Sequence, residues 1–471
     1  MTGLIRLVDM TMEAGHPVTA LDGLRTELGD ALRTDEAALD EARADKSGHV
    51  AASFPLAVVE ARSIADVQAT LRFASAHGIP VVPRGAGTGL AGGAIGSAGE
   101  IVLSTRRMDR ILEVSVDDEL AVVEPGVINA DLNAALFDRG LWWAPDPASR
   151  AIATVGGNIA TNAGGLLCVK YGVTREAVLG LKVVLADGRL LEVGHRTVKG
   201  VTGYDLTALM IGSEGTLGVI VEATLRLRPL PKGTPVTVKA EFATVEQAAR
   251  ASSVVSASGT TPAIMELLDA TAVRNIGAFL DLELGSGAVL LAQTDGVGAA
   301  EEAASIAAVM RSLGGTVELT EDPEESARLF DIRRAFHPSL EALGTVLIED
   351  VAVPRSALPA MFASIERISA KYGIEIPTVA HAGDGNLHPN FVFTAPEVDG
   401  HVDVPDEVWA AADEMFLDCL RLGGTLTGEH GVGILKKRWL RDELGDDSFA
   451  LQKQIKQVFD PANILNPGKI F

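Results

Sequence analysis

Residues 79–96 read IPVVPRGAGTGLAGGAIG, a short apolar run followed by a loop crowded with glycines. Such a loop offers consecutive backbone N–H groups, and glycine has no side chain to block the close approach of a ligand, so the loop suits a pyrophosphate. A nicotinamide-type Rossmann site would need a helix to open at the third glycine. Residues 90–96 are too rich in glycine for a stable helix, because each Gly costs about 1 kcal/mol relative to Ala. The stretch therefore predicts a phosphate-binding loop of another kind.

Two further glycine-rich stretches follow, GGNIATNAGG at residues 156–165 and GSEGTLG at residues 212–218. Any one of the three, taken alone, is as consistent with a structural turn as with a ligand site. Three of them spaced through the first half of the chain favour an extended ligand that lies along several loops.

The periodicity of apolar residues divides the chain into two folded parts. The first is predicted to contain strand 55–60, helix 63–77 and strands 79–83, 100–104, 121–124, 179–185 and 219–227. Pro229, Pro231 and Gly233 then interrupt the pattern, which indicates a domain boundary. The second part is predicted to be a sheet-and-helix domain of ferredoxin-like character. Its predicted elements are strands 236–243, 263–267 and 288–294 and helices 245–256, 299–313 and 354–372. Before both parts, residues 17–47 mix leucine at helical spacing with many acids and predict a solvated helical segment.

The composition excludes some classes of function. The 471 residues carry a formal net charge of −23, which would repel a phosphate backbone, so no nucleic-acid partner is expected. Cys168 and Cys419 are the only cysteines, so this chain alone can build neither a disulfide framework nor an iron–sulfur cluster. No secretory signal and no run of about 20 apolar residues is visible, and the cytoplasm is the expected compartment.

Histidines and a glutamate cluster in the last quarter of the sequence. Residues 376–393 read as two strands joined by a glycine-rich turn, with His381 and His388 on either side of it. Asn390 shares a face with His388, because side chains alternate along a strand. Further on, Glu429 and His430 stand between glycines. Two imidazoles and a carboxylate can hold a divalent ion, although the histidines could equally bond to backbone and the second stretch could equally be a solvated loop.

Several stretches together resemble one known family. The matching residues are 83–89, 145–147, 156–165, 198–206, 212–218 and 463–469. They are similar to the FAD-binding domain of the vanillyl-alcohol oxidase (PCMH) type. The branch is that of the glycolate oxidase flavoprotein subunit, D-lactate dehydrogenases and D-2-hydroxyglutarate dehydrogenase. The resemblance implies an α+β fold with a FAD-binding domain and a ferredoxin-like substrate (cap) domain. The expected boundaries are a helical segment (1–50), the FAD-binding domain (51–232), the cap domain (233–422) and a C-terminal segment that returns to the flavin domain (423–471).

The resemblance also implies which residues hold FAD. Arg84 to Gly89 would wrap the pyrophosphate, and Asn466 would reach the flavin from the C-terminus. Covalent members carry a histidine in the first loop, and this loop has none, so non-covalent FAD is expected. The full set of expected FAD-binding residues is Arg84, Gly85, Ala86, Gly87, Thr88, Gly89, Pro145, Asp146, Gly156, Gly157, Asn158, Thr161, Asn162, Gly164, Gly165, Tyr171, Glu214, Gly215, Gly218, Ile220 and Asn466.

In the same family, His381, His388 and Glu429 match the ligands of a divalent metal, Zn²⁺ or Mn²⁺. His430 matches the catalytic base. Arg333 falls where the family places the receptor of the substrate carboxylate, although its neighbour Arg334 is an alternative, and Asn390 would contact the substrate or a metal-bound water. Relatives that act on hydroxyglutarate carry a lysine where this chain has Ile348, which favours a monocarboxylate.

The resemblance implies an FAD-dependent dehydrogenase that oxidises a small D-2-hydroxy acid to the 2-oxo acid. Hydride would pass to flavin N5 with help from the metal and a histidine. D-lactate or glycolate is favoured as substrate, and D-2-hydroxyglutarate is the alternative. The electron acceptor must be external: an iron–sulfur subunit, an electron carrier, a quinone, a cytochrome or oxygen. Peripheral association with a membrane through that partner, and a homodimer, are compatible with this expectation.

Two readings from other classes of function compete with the dehydrogenase. A metallohydrolase could use the same His, His and Glu set to activate water. That reading leaves the glycine-rich loops of the first half unexplained. A flavoprotein that only relays electrons would need neither the metal ligands nor Arg333.

Overall fold

A computed structural model describes residues 21–394 and 404–471, together with the backbone of a short strand pair between them. The helices of this part of the chain are α1 (Asp22–Leu28), α2 (Glu36–Glu41), α3 (Ile64–His77), α4 (Asn129–Phe137), α5 (Val155–Thr161), α6 (Cys168–Tyr171), α7 (Leu206–Met210), α8 (Val245–Ala257), α9 (Ala270–Leu280), α10 (Ala299–Ser312), α11 (Pro323–Arg334), α12 (Phe336–Glu341), α13 (Leu358–Tyr372), α14 (Asp406–Arg421) and α15 (Leu440–Phe459). None of them combines the length and the hydropathy that a membrane span needs.

The strands are β1 (Leu32–Arg33), β2 (Ala57–Glu60), β3 (Val81–Arg84), β4 (Ile101–Ser104), β5 (Ile111–Ser115), β6 (Leu120–Val123), β7 (Leu141–Trp142), β8 (Val178–Val184), β9 (Leu190–Gly194), β10 (Val219–Arg226), β11 (Arg228–Pro229), β12 (Val236–Phe242), β13 (Ile264–Leu268), β14 (Ala288–Thr294), β15 (Thr316–Thr320), β16 (Thr345–Ile348), β17 (Val351–Ala352), β18 (Thr378–His381), β19 (Asn386–Phe393), β20 (Glu397–Val398) and β21 (His401–Val402). Single 3₁₀ turns lie at Gly29–Ala31, Thr174–Ala177, Arg355–Ala357 and Lys437–Trp439.

The first sheet has four strands in the order β1-β2-β4-β3, and β2, β4 and β3 are parallel. β2 and β4 are short runs of apolar residues, as expected for parallel strands that are covered on both faces. α3 connects β2 to β3. It begins at Ser63, whose hydroxyl accepts the N–H of Asp66, and ends at Gly78 with φ +64°. The first glycine-rich loop leaves the carboxyl end of β3, which is the edge where ligands bind in parallel sheets.

The second sheet is antiparallel, with five strands in the order β5-β6-β10-β8-β9. Buried and partly exposed side chains alternate along β10, as the alternating sequence predicts. The buried face packs against Val155 and Ile159 of α5. α5 begins at Val155, just before the second glycine-rich stretch, where the hydroxyl of Thr154 accepts the N–H of Gly157 and caps the helix.

The third sheet is antiparallel, in the order β15-β12-β14-β13-β18-β19-β16, with β17 also paired to β19. Its first part runs β12-α8-β13, then β14-α10-β15, with the four strands in the spatial order fourth, first, third, second. This βαββαβ arrangement is the predicted ferredoxin-like motif, with α9 added between β13 and β14. β18 and β19 extend the sheet and carry the two predicted histidines. α8, α10, α13 and α14 cover one face, and α9 and α12 cover the other.

The predicted elements of both parts are confirmed with small shifts at their ends. The N-terminal segment differs from its prediction. Residues 1–20 of the predicted segment 1–50 lie outside the described residues, but the rest is not purely helical and solvated: β1 pairs with β2, and Leu24 is 1% exposed. The leucines at helical spacing led to the prediction of a solvated helical segment. In the structure these leucines pack into the core of the first sheet.

The end of the chain returns to the first sheet. Leu465 lies in parallel beside Val81 of β3. The N–H of Val81 donates to the carbonyl of Ile464 at 2.7 Å, and the N–H of Asn466 donates to the carbonyl of Val81 at 2.8 Å. Both Ile464 and Leu465 are buried in the core of this sheet. The C-terminal residues therefore protect the edge of β3.

Replacing Leu465 with Ala should destabilise the protein. Leu465 is 0% exposed, and truncation of a buried leucine costs about 2–5 kcal/mol. Leu451→Ala is the matched control, because Leu451 is 57% exposed on α15. The control should change the free energy of unfolding by less than about 0.5 kcal/mol. Guanidinium denaturation followed by tryptophan fluorescence checks both, and equal midpoints for the two variants would contradict the packing of Leu465.

Candidate active site

A cleft of about 1060 Å³ lies between the first two sheets and the third. The three glycine-rich loops line one side. Residues of α12, β16, β18 and β19 line the other, together with Glu429 and His430 from the C-terminal segment. Such a cleft between folded parts of a chain commonly holds a ligand site.

Most of the residues predicted to bind FAD line this cleft. They are Arg84, Gly85, Ala86, Gly87, Thr88, Gly89, Asp146, Gly156, Gly157, Asn158, Thr161, Gly165, Glu214, Gly215, Gly218 and Ile220. The structure thus brings together three stretches that are far apart in the sequence. Lining residues that the sequence did not indicate include Lys46, Ser47, Arg150 and His337.

Two predicted residues lie behind the lining. Gly164 is packed against Glu429, so that a Cβ at Gly164 would lie 2.6 Å from Oε2 of Glu429. The side-chain amide of Asn466 donates to the carbonyls of Glu214 at 2.8 Å and Gly93 at 3.1 Å. Its Oδ1 is buried without a partner among the described residues. Both residues support loops that line the cleft.

Three other predicted residues, Pro145, Asn162 and Tyr171, are not among those that line the cleft. The carbonyl of Pro145 accepts the side-chain amide of the buried Asn129 at 2.9 Å. Asn162 ends α5 in the left-handed conformation. The hydroxyl of Tyr171 donates to Asp295 at 2.5 Å and so connects the first part of the chain to the end of β14.

The guanidinium of Arg84 braces the first loop. It donates to the carbonyls of Ala44 and Ala94, each at 2.9 Å, and of Glu41 at 3.1 Å. Gly87 in the same loop has φ +69°, and a Cβ there would lie 2.3 Å from Nη2 of Arg84. The loop conformation therefore requires glycine at this position.

Glu214 joins the third glycine-rich loop to the C-terminal segment. Its two carboxylate oxygens accept the N–H groups of Val432 at 2.7 Å and Gly433 at 2.8 Å. Burial raises the pKa of Glu214 to about 7, against the opposing effect of these two donors.

Two histidines and a glutamate meet at one end of the cleft. Nε2 of His381 and Nε2 of His388 each lie 3.0 Å from Oε1 of Glu429. The candidate ligand atoms of the three residues lie within 4.8 Å of one another. Two imidazoles and one carboxylate are a typical donor set for zinc and similar ions, and they leave coordination positions open. The predicted metal ligands are thus brought together, and the chemistry of the set fits a divalent cation.

The hairpin between β18 and β19 sets this geometry. His381 pairs with Asn386, and His388 pairs with Val379, so the two imidazoles project towards each other. Their ring centroids are 5.0 Å apart. Gly385 in the turn has φ +82°, and a Cβ there would lie 2.1 Å from a backbone carbonyl. Only glycine suits this turn.

Buried charged groups shift the pKa values of His381 and Glu429. Burial would lower the pKa of His381, but Glu266 and Glu429 on either side hold it well above its ordinary value. Burial would likewise raise the pKa of Glu429, but His381 and His388 hold it well below its ordinary value. Glu429 is therefore an anion in this site.

Asp350 fixes the backbone of the C-terminal segment. Its Oδ2 accepts the N–H of Glu429 at 3.0 Å and of His430 at 3.1 Å, and its Oδ1 accepts the side-chain amide of Asn386 at 2.5 Å. Asp350 and Glu266 are both 0% exposed, and neither is predicted from the sequence. For Glu266 the available signal was an acid inside the otherwise apolar strand β13, since a buried carboxylate needs a partner.

His430 and Asn390 present polar atoms without partners. The ring of His430 stacks on His388, with centroids 5.2 Å apart and planes 19° apart. Burial lowers the pKa of His430 to about 4, so the ring is neutral at physiological pH. Nδ1 of His430 and Oδ1 of Asn390 are buried and have no partner among the described residues. Both residues line the cleft beside the histidine pair.

Arg333 and Arg334 both line the cleft but have different surroundings. The side chain of Arg333 is 13% exposed and donates through Nε and Nη2 to Oε2 of Glu266. The side chain of Arg334 is 55% exposed and pairs with Asp331 on its own helix. Arg333 is therefore the one of the two that is fixed inside the cleft.

Comparison with protein families gives two matches. Residues 55–194 match the model described as FAD binding domain. Residues 234–470, about half of the chain, match the model described as FAD linked oxidases, C-terminal domain.

Two curated relatives cover most of the chain. The glycolate oxidase subunit GlcD of Bacillus subtilis is 41% identical over 425 residues, which cover 89% of each protein. The D-lactate dehydrogenase of Archaeoglobus fulgidus is 39% identical over 419 residues, which cover 88% of this chain and 90% of the relative.

The fold also resembles a solved structure. p-Cresol methylhydroxylase with substrate bound superimposes with a TM-score of 0.77 over 96% of each chain, at 18% identity. This likeness supports the PCMH-type fold alone. Together with the family matches and the curated relatives, the cleft and its glycine-rich loops place this chain in the family of FAD-linked oxidases.

Proposed function

We propose that this protein is an FAD-dependent dehydrogenase that oxidises a small D-2-hydroxy acid to the 2-oxo acid. One observation carries the proposal: the cluster of His381, His388 and Glu429, with His430 beside it, opens into the same cleft as the glycine-rich loops of the flavin domain. The relatives named as a glycolate oxidase subunit and a D-lactate dehydrogenase support the same class of substrate.

The glycine-rich loops are the proposed FAD site, and the cofactor is proposed to be non-covalent. Residues 85–89 are Gly, Ala, Gly, Thr and Gly, and none of these side chains can form the histidyl link of the covalent relatives. FAD supplies the acceptor for the hydride and its two electrons. The protein supplies a shaped cleft and fixed backbone donors around it.

The histidine–glutamate cluster is the proposed site of a divalent cation, Zn²⁺ or Mn²⁺. His381, His388 and Glu429 would hold it, and it would supply a Lewis acid beside the substrate hydroxyl. Asn390 donates to the carbonyl of His388 at 2.7 Å, which leaves its Oδ1 available to the substrate or to a water.

Arg333 and His430 are proposed to orient the substrate and to move its proton. Arg333 is fixed by Glu266 on one side and lines the cleft on the other, so it can receive the substrate carboxylate. His430 is neutral and its Nδ1 has no partner among the described residues, so this ring can take the hydroxyl proton as general base.

The walls of the cleft favour a small monocarboxylate such as D-lactate or glycolate. Val346, Ile348 and Val379 line the cleft near the histidine pair, and Ile348 pairs with Asn390 across β16 and β19. These apolar side chains offer no partner to a second substrate carboxylate. D-2-hydroxyglutarate remains the alternative substrate.

Electrons must leave the reduced flavin for an acceptor outside this chain, since two distant cysteines cannot build an iron–sulfur cluster. An iron–sulfur subunit, an electron carrier, a quinone or a cytochrome would each serve as the acceptor.

Anaerobic visible spectra test the proposed function. D-Lactate or glycolate should bleach the two flavin bands of the purified protein, because hydride transfer reduces the flavin. D-2-hydroxyglutarate should bleach them much more slowly, because of the apolar wall. Bleaching by D-2-hydroxyglutarate alone would contradict the assigned substrate class. A colourless protein that took up no FAD would instead support a metallohydrolase.

Replacing His430 with Ala should leave the bound flavin in place and slow its reduction by substrate. The expected loss is about 10²–10⁴-fold, which is the usual contribution of a general base. Stopped-flow absorbance measures the rate. His77→Ala is the control, since His77 is exposed at the end of α3. Reduction of the His430→Ala protein at the wild-type rate would remove this residue from the proposed mechanism.

Replacing His388 with Ala removes one of the three proposed ligands. After dialysis against zinc or manganese, the wild type should hold about one ion per chain, whereas the variant should hold almost none. Flavin content should be the same in both proteins. Elemental analysis by mass spectrometry measures the metal, with His77→Ala again as the control. Equal metal content in the two proteins would refute the ligand assignment.

A further inference from the structure

Glu266 is a fully buried carboxylate that contacts two parts of the site at once. It lies on β13 directly opposite His381 of β18. Its Oε1 accepts the Nδ1–H of His381 at 2.5 Å. Its Oε2 accepts Nε of Arg333 at 2.9 Å and Nη2 of Arg333 at 2.8 Å. One side chain therefore joins a proposed metal ligand to the proposed substrate anchor.

We propose that Glu266 is a positioning residue that couples the metal site to the binding of the substrate carboxylate. The inference rests on the proposed roles of His381 and Arg333, and it extends them to a residue that touches neither substrate nor metal.

The coupling follows from the hydrogen bonds that each group can make. A carboxylate only accepts, so the proton of His381 that faces Glu266 sits on Nδ1, and Nε2 is the nitrogen that faces Glu429. A carboxylate behind a histidine fixes the orientation and tautomer of the ring in this way at many metal sites. Oε2 of Glu266 accepts the N–H groups on one edge of the Arg333 guanidinium, Nε and Nη2. Nη1 of Arg333 donates to no described residue and is available to a ligand in the cleft.

Glu266, Arg333 and His381 form one buried group of charged and polar side chains. Glu266 is 0% exposed, and the side chains of Arg333 and His381 are 13% and 10% exposed. Removal of one partner from such a group leaves an uncompensated buried charge, which is strongly destabilising. If Glu266 couples the two sites, the effect is reciprocal: the metal and the substrate carboxylate change the affinity for each other by the same factor.

Glu266→Gln is the informative substitution, because an amide has one acceptor oxygen and one NH₂ donor. If the oxygen turns to Arg333, the NH₂ meets Nδ1 of His381 and favours the tautomer that protonates Nε2, which blocks that nitrogen as a ligand. If the oxygen turns to His381, the NH₂ meets the N–H groups of Arg333 and displaces the guanidinium. Glutamine can satisfy either neighbour but not both.

The experiment measures two affinities of the flavin-loaded protein. Zinc affinity of the metal-stripped protein is measured by competition with a chromophoric chelator. Affinity for pyruvate, a 2-oxo acid that cannot be oxidised at C2, is measured by the change in the flavin spectrum of the zinc-loaded protein. Glu222→Gln is the matched control, because Glu222 is a partly buried strand carboxylate paired with Lys182 on the second sheet.

We expect Glu266→Gln to weaken zinc binding by about 10- to 100-fold, the usual effect of losing a partner behind a metal ligand. We also expect weaker pyruvate binding and a KM that rises together with a fall in kcat. Flavin content and the control variant should match the wild type. Loss of either affinity with the other unchanged would overturn the coupling, and so would two unchanged affinities.

Glu266→Asp is a second variant that tests the inference if the Glu266→Gln protein does not fold. Aspartate keeps the charge and both acceptor oxygens but is one methylene shorter, so both affinities should fall by less than in a folded glutamine variant. Two wild-type affinities in Glu266→Asp would overturn the inference even if Glu266→Gln lost its flavin. Wild-type protein that bound no zinc would overturn the proposed metal centre and the inference with it. Wild-type protein that bound zinc, beside a Glu266→Gln protein that behaved like Glu222→Gln, would overturn the inference alone.

Discussion

The carboxylate of Asp350 holds the C-terminal segment against the third sheet, and the site depends on that contact. It accepts hydrogen bonds from the backbone N–H groups of Glu429 and His430. These bonds place both side chains beside His381 and His388 of the hairpin between β18 and β19. Burial alone would raise the pKa of Asp350, but His430, Lys436 and His388 hold it below its ordinary value. The carboxylate of Asp350 therefore stays ionised and continues to accept these hydrogen bonds. Through them, residues from separate stretches of the chain meet in one site.

Local periodicity was enough to locate most of the elements. β14 was predicted at residues 288–294 and is found there, because a run of apolar residues between turn signals is typical of a buried strand. The helix predicted from Pro354 begins at Leu358 instead, since a 3₁₀ turn at Arg355–Ala357 precedes it. β1 was missed because two residues are too few to show a period. Its pairing with β2 is a tertiary contact that the sequence does not display.

The site was predictable where residues of the right type lie close in sequence, and only there. The turn between His381 and His388 is short and rich in glycine, so their approach follows from a hairpin. Glu429 lies far from them in the sequence, so its role as a third ligand was one of two open alternatives until the resemblance to a family favoured it. Glu266 and Asp350 were not predicted, because what identifies them is the partner across the sheet or in a distant segment. An acid in the apolar strand Ile264–Leu268 was the one visible sign.

The pairing of Leu465 with Val81 has a consequence for biosynthesis. β3 leads straight into the first glycine-rich loop, yet the segment that completes its outer edge is translated long after it, when the whole third sheet has already been made. During translation, the outer edge of β3 therefore stays unpaired while the rest of the chain emerges from the ribosome. This edge of β3 can be completed only after residues 464–466 have left the ribosome, and a nascent chain truncated before them would leave the strand that leads into the loop unpaired on that side.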